Sequence, residues 1–183
     1  GSWEEFYLDG TIKKKAAYTE GVLNGMFEEN YRNGQTNVKG AYLDGKKDGA
    51  WIWYLEDGTE EMKGPFKADQ QEGTWTYFYN NGKVSATGDF LAGKENGEWQ
   101  YYYAGGQAWK TGSFDDGLKQ GSWSYWFENG KDLMRGDFDK DLEEGEWQSW
   151  YENGNSKDKG PYSKGKMKGH WTGNYPNGVK HFD

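Results

Sequence analysis

The densest group of chemistry-bearing side chains is Asp137-x-Asp139-x-Asp141, followed by Glu143, Glu144 and Glu146. Alternating carboxylates can ligate calcium, but a calcium loop of the helix–loop–helix kind needs a glycine where Leu142 stands and a bidentate glutamate where Gln148 stands. In the repeat phase described below the cluster also falls on a strand end and turn. No metal or other cofactor is therefore expected. The two histidines, His170 and His181, both lie near the carboxyl end, and the chain has no cysteine. No Gly-x-Ser-x-Gly elbow, phosphate loop or zinc-binding helix motif occurs. Carboxylate pairs are plentiful, but a glycosidase pair must converge in a cleft. A flat repeat sheet offers none, so no catalytic residue and no enzyme are expected.

Composition narrows the classes further. The 183 residues carry 22 Lys and Arg against 30 Asp and Glu, a formal net charge of −8. That balance argues against a nucleic-acid binder, which neutralises phosphates with a surplus of cations. No run of apolar residues is long enough for a transmembrane helix. The aromatic load (11 Trp, 14 Tyr and 9 Phe) argues against a disordered acidic tail. Residues 153–183 hold six lysines and two acids, so the rest of the chain is more acidic than the total suggests. The expected use of the acidic cluster Asp137, Asp139, Asp141, Glu143 and Glu144 is either solvated loop charge that protects sheet edges or steering of a basic partner.

The elements that must position these residues follow from a period of 24. Glycine recurs at Gly1, Gly25, Gly49, Gly73, Gly97, Gly121, Gly145 and Gly169. Counting each of these as offset zero, offset two is Trp3, Phe27, Trp51, Trp75, Trp99, Trp123, Trp147 and Trp171. Offset six is aromatic except at Leu55, and offset seventeen is aromatic from Tyr18 to Tyr162. Offset fifteen is Ala16, then Gly40, Gly64, Gly88, Gly112, Gly136 and Gly160. The repeats are 1–24, 25–48, 49–72, 73–96, 97–120, 121–144 and 145–168, with a partial eighth over 169–183. A fixed period of this length identifies a repeat architecture.

Each repeat reads as a β-hairpin. Asn-Gly or Asp-Gly at offsets eight and nine predicts a two-residue type I′ turn. The flanks are rich in strand-favouring aromatics, and glycine at this density opposes a helix. The turn predicts that offset two faces offset fifteen, so that the tryptophan ring covers the glycine opposite it in its own hairpin. Offsets two, six and seventeen then share a packed face. A second positive-φ position is expected at offset twenty, where Gly21, Gly45, Gly93, Gly117 and Gly165 alternate with Asp69 and Asp141. The fold class is all-β: an elongated single antiparallel sheet of stacked hairpin repeats, seven full repeats plus a partial eighth.

Offset five is out of phase with the packed face. Tyr102 is expected to face Trp109 across the hairpin, and Trp126 to face Leu133. With Tyr54, Phe78 and Trp150 they form an aromatic strip. Such a strip is either a partner-binding surface or mutual cover for a thin sheet.

The pattern Gly-x-Trp-x-x-Tyr-Tyr-x-Asn-Gly followed by Gly-x-Phe-x-x-Gly-Lys-x-x-Gly, best seen at Gly121–Gly130, resembles the MORN (membrane occupation and recognition nexus) repeat in its bacterial type 2 variant. The resemblance covers essentially the whole chain. It implies a twisted antiparallel sheet of stacked hairpins and a non-enzymatic, interaction-mediating role. Bacterial members include antitoxin components of toxin–antitoxin pairs and surface-associated proteins, so a bacterial cell-surface setting is one implication. Lipid binding has been proposed for the family, but the basic face it requires is not evident here. The expected function is a protein-interaction scaffold, with an antitoxin or immunity protein that meets a basic toxin through residues 137–146 as its specific form. The alternative is a carbohydrate- or cell-wall-binding module, which requires aromatic cages between repeats. Two sheet edges and uncapped end repeats add end-to-end or edge self-association as an expectation.

Overall fold

The computed structural model describes Gly1–Asp183 as β-strands joined by turns, with no helix. The eighteen strands belong to one antiparallel sheet, and the residues group into two compact units, Gly1–Lys94 and Glu95–Asp183. The first unit contains β1 (Ser2–Phe6), β2 (Ile12–Thr19), β3 (Val22–Asn30), β4 (Thr36–Leu43), β5 (Lys46–Tyr54), β6 (Glu60–Lys67), β7 (Gln70–Gln71), β8 (Gly73–Phe78) and β9 (Val84–Leu91). The second contains β10 (Lys94–Tyr102), β11 (Ala108–Asp115), β12 (Leu118–Trp126), β13 (Asp132–Asp139), β14 (Leu142–Trp150), β15 (Ser156–Ser163), β16 (Lys166–Met167), β17 (Thr172–Asn174) and β18 (Lys180–Phe182). Within each unit, successive strands pair antiparallel, except that β7 and β8 both pair with β6, and β16 and β17 both pair with β15.

The all-β hairpin array and the mid-strand register follow the sequence reading. Trp51 pairs with Gly64, Trp75 with Gly88, and Trp123 with Gly136. The turn chemistry is the reverse of expectation. At the Asn-Gly and Asp-Gly sites the loop is three residues long. In the first, Gly10 N–H donates to the Tyr7 carbonyl at 2.9 Å, and Tyr7 N–H donates to Thr11 at 2.8 Å. Only the glycine has positive φ, 87° at Gly10 and 84° at Gly34. The preceding Asx residue has another task. Its side-chain oxygen accepts the N–H two residues on, as Asn33 does from Gln35 (2.9 Å) and Asn129 from Lys131 (3.0 Å). This is a β-turn closed by a glycine bulge, with an Asx cap. The hydrogen bonds from Thr11 hold the Asp9 carboxyl down at about 2.

The two-residue turns lie instead between repeats. Asp44 and Gly45 have φ of 49° and 80°, and Ala68 and Asp69 have 50° and 71°. Consecutive positive φ values define the type I′ geometry. Asp69 and Asp141 are left-handed, as expected, and each also accepts a backbone N–H: Asp69 from Lys47 at 2.8 Å and Asp141 from Lys119 at 2.9 Å.

The ring that covers each mid-strand glycine also differs from expectation. A Cβ added at Gly40 would lie 2.3 Å from Trp51, and one at Gly64 would lie 2.3 Å from Trp75. Gly112, Gly136 and Gly160 meet Trp123, Trp147 and Trp171 in the same way. The covering tryptophan thus comes from the next repeat, not from the glycine's own hairpin. The cause is a bulge. Lys39 pairs with Ile52 and Ala41 with Asp48, so Gly49, Ala50 and Trp51 together pass the single residue Gly40. Gly49 takes a φ of 76° to allow this. The indole is thrown back onto bare backbone, and its N–H donates to the Ala41 carbonyl at 3.1 Å. Trp51, Trp75 and Trp123 are only 1% exposed. Burying an indole of this size contributes on the order of 4 kcal/mol. Trp3 is 45% exposed.

Offset-six tyrosines join repeats on the same principle. The hydroxyl of Tyr31 donates to the Tyr54 carbonyl at 2.7 Å, and Tyr103 to Trp126 at 2.8 Å. Tyr7 reaches Asn30 and Tyr151 reaches Asn174 equivalently.

Candidate functional site

Two clusters of buried aromatic and aliphatic side chains sit on the packed face, one around Phe27 and Trp51 and the other around Trp123, Tyr125, Phe138 and Trp147. Edge-to-face contacts run along each, for example Phe114–Trp123 at 5.2 Å and Phe138–Trp147 at 5.0 Å. Lysine stems lie across the rings. The Lys47 ammonium is 4.7 Å from Trp51 and 5.1 Å from Phe66, and that of Lys119 is 4.7 Å from Phe138. These are cation–π contacts in which the alkyl stem covers ring surface and the charge stays near water. The Lys110 ammonium is 4.1 Å from Tyr101 and 4.6 Å from Trp109, and burial, aided by the neighbouring Lys119 charge, lowers its pKa.

The predicted strip is only partly assembled. Tyr102 pairs with Ala108, not Trp109, and Trp126 pairs with Asp132, not Leu133. The bulge at each three-residue loop shifts the register between offsets four and five, and offset twelve loses its partner. Trp109 then lies 6.3 Å from Tyr101 and 6.1 Å from Tyr103, and Leu133 packs against the Trp123–Trp147 cluster. Both have joined the packed side.

Tyr54, Phe78, Tyr102, Trp126 and Trp150 remain as half-buried rings at offset five. A cation from offset fourteen of the preceding repeat caps three of them. Lys39 is 5.2 Å from Tyr54, Lys63 5.1 Å from Phe78, and the Arg135 guanidinium 4.9 Å from Trp150. At Trp126 the equivalent residue is Thr111, and Trp126, Tyr102, Gln100 and Thr111 line a recess of about 200 Å³.

Within the acidic cluster, Asp141 and Glu144 cap turns and Asp137 is bonded across its hairpin. Asp137 accepts the Ser122 hydroxyl at 2.6 Å, Asp141 accepts Lys119 N–H, and Glu144 accepts Lys164 N–H at 2.8 Å. Asp48 and Glu72 cap the equivalent turns, accepting N–H from Ala68 and Ala92. Asp139 and Glu143 face Leu142 and Phe138 across the hairpin between β13 and β14.

One column escaped the sequence reading. Offset four has the parity of offsets two and six, and it places Trp53, Tyr77, Tyr101 and Tyr125 on the packed face. Tyr125 is buried, and desolvation pushes its hydroxyl up to about 12. The alternation of aromatics at two, four and six was the available signal.

No curated protein matches the chain. A family model described as a MORN repeat variant matches residues 71–91 and 143–164. Each match spans one strand–loop–strand unit, with the Asn-Gly loop at its centre and the covering tryptophan, Trp75 or Trp147, near its start. Two segments, one in each compact unit, are thus similar to the MORN repeat variant.

Proposed function

We propose that this chain is a non-enzymatic protein-interaction scaffold whose offset-five face, centred on Trp126, meets a protein partner. MORN repeats are interaction modules, which supports the coarse reading. The observation that carries the finer one is the recess beside Trp126. There Thr111 stands where a lysine or arginine caps Tyr54, Phe78 and Trp150. A large aromatic on a recessed surface is a common centre of interface energy. In the second unit the strip comprises Tyr102, Trp126 and Trp150; Tyr54 and Phe78 hold the same offset in the first unit, and Trp109 and Leu133 lie on the packed side. The capped rings favour a protein over a glycan, because a sugar stacks on an open ring face and three of these faces hold cations.

An antitoxin or immunity role against a basic toxin draws support from the charge of Asp137, Asp139, Asp141, Glu143 and Glu144. Clustered carboxylates of this kind steer a basic partner. Trp126→Ala and Trp150→Ala, tested together for melting and for binding to a partner isolated from the native host, decide the matter. Loss of binding with melting preserved is the expected result. Unchanged binding overturns the proposal, and binding on a glycan array in place of a protein selects the carbohydrate reading.

A further inference from the structure

Offset four carries Glu5, Glu29, Trp53, Tyr77, Tyr101, Tyr125, Ser149 and Gly173. In the third to sixth repeats its ring lies beside the indole two residues earlier, at nearly constant geometry. Trp53 is 5.7 Å from Trp51 at 30°, Tyr77 6.2 Å from Trp75 at 33°, Tyr101 5.9 Å from Trp99 at 29°, and Tyr125 6.1 Å from Trp123 at 31°. In the seventh repeat Ser149 removes the ring but leaves Trp147. Its hydroxyl oxygen accepts the Asp158 N–H at 3.2 Å.

A cleft of about 530 Å³ opens at that place. Met134, Trp147, Tyr162 and Trp171 form its walls, with Glu152 and Lys157 among its polar groups. The second repeat also lacks the ring, but there Lys14 fills the space. Its ammonium is 4.9 Å from Phe27 and 3.6 Å from Glu29. The residue equivalent to Lys14 at the seventh repeat is Met134, which pairs with Ser149 as Lys14 pairs with Glu29 and forms one wall of the cleft instead of filling it.

We propose that this cleft receives the side chain of a tyrosine carried by a protein partner, with the phenol ring against Trp147. The inference rests on the scaffold reading above and gives it a recognition element. The chain itself supplies the template, since three of its four resident rings are tyrosines. Two of the three hydroxyls also have a partner six residues earlier. Gln71 donates to the Tyr77 hydroxyl oxygen at 3.5 Å, and the Tyr101 hydroxyl bonds the Glu95 carboxylate. The equivalent residue for the seventh repeat is Glu143, and the lining of the cleft itself offers Glu152 and Asp158 as acceptors for a phenol. A sugar has no such precedent in the array, and an aliphatic side chain would forgo the ring-on-indole contact.

The test uses the full chain labelled with nitrogen-15 and follows the indole N–H signals of Trp147 and Trp171. The probes are N-acetyl-tyrosinamide, N-acetyl-alaninamide and methyl glucoside. The tyrosine probe is expected to shift both signals saturably, with an affinity in the millimolar range, and the other two to act about tenfold more weakly or not at all. Ser149→Tyr fills the cleft from within and should abolish the response. Ser149→Leu serves the same purpose if the tyrosine variant loses its strand circular dichroism, and Ser149→Ala should keep the response. No saturable shift in the native chain, an equal response to methyl glucoside, or undiminished binding in a folded cleft-filling variant overturns the proposal. No partner protein enters this assay. Probe failure with partner capture intact thus refutes the cleft alone, and loss of the scaffold reading with probe binding intact does the reverse.

Discussion

The indole of Trp75 rests on the α-carbon of Gly64, so closely that a methyl group at Gly64 would come within 2.3 Å of the ring. The atoms it would strike belong to a rigid, 1%-exposed side chain whose N–H is held by the Pro65 carbonyl at 3.0 Å. Gly64→Ala must therefore displace the indole or the strand. Overpacking of this kind costs about 2–3 kcal/mol, and the loss should appear as a lower midpoint in urea unfolding. Gly112→Ala, against Trp123, should behave alike.

Tyr31→Phe removes a hydroxyl that spans two repeats. The Tyr54 carbonyl it satisfies is left without that donor, and the expected loss is about 1–2 kcal/mol. Leu55 and Phe127 occupy the same column without a hydroxyl, so a phenylalanine fits the site sterically. Chemical denaturation of Tyr31→Phe and Tyr103→Phe measures the bond without disturbing the ring packing.

Ala92 holds a φ of 50° in the turn before Gly93. An L-residue with a Cβ is strained there, and asparagine tolerates the left-handed region better. Ala92→Asn should raise stability by about 1 kcal/mol, read as an increase in melting temperature. At the other turn type the sign reverses. Asn33→Ala loses both the cap on Gln35 N–H and the bond from its amide to the Glu56 carbonyl, and should lower stability.

These turns mark where sequence reading stopped. Asn-Gly is compatible with a type I′ turn and equally with a β-turn closed by a glycine bulge. The choice depends on whether the asparagine side chain caps the chain two residues on, as Asn33 does. Register at mid-strand was legible because Trp51 and Gly64 recur in step over the whole chain. Which glycine the ring covers was not, since Trp51 is paired with Gly64 yet lies on Gly40, and only the left-handed φ of Gly49 decides between them. The same kind of slip moved Trp109 and Leu133 to the packed side. The offset-five rings stayed in phase because they precede the loop bulge.

Tyr125 gives the array an alkaline sensitivity. Its folded pKa is raised to about 12 from the ordinary value of 10.0, so between those values the folded chain binds the proton more tightly than the unfolded one. Its contribution is fully present below pH 10 and is lost as pH rises through about 12. Tyr125→Phe should flatten the decline in unfolding free energy over that window relative to the native chain, measured by denaturant titration at successive pH values.

The backward lean of each tryptophan turns the period into a ruler. Trp51 reaches Gly40 and Trp75 reaches Gly64 across the same interval of eleven residues. Excising residues 49–72 would bring Trp75 onto Gly40 and restore the seat, whereas excising half as many would deliver Lys63 in place of an indole. Length in this architecture is accordingly quantised: whole modules can be gained or lost with the contacts intact, and any fractional change severs the array at the point of splicing.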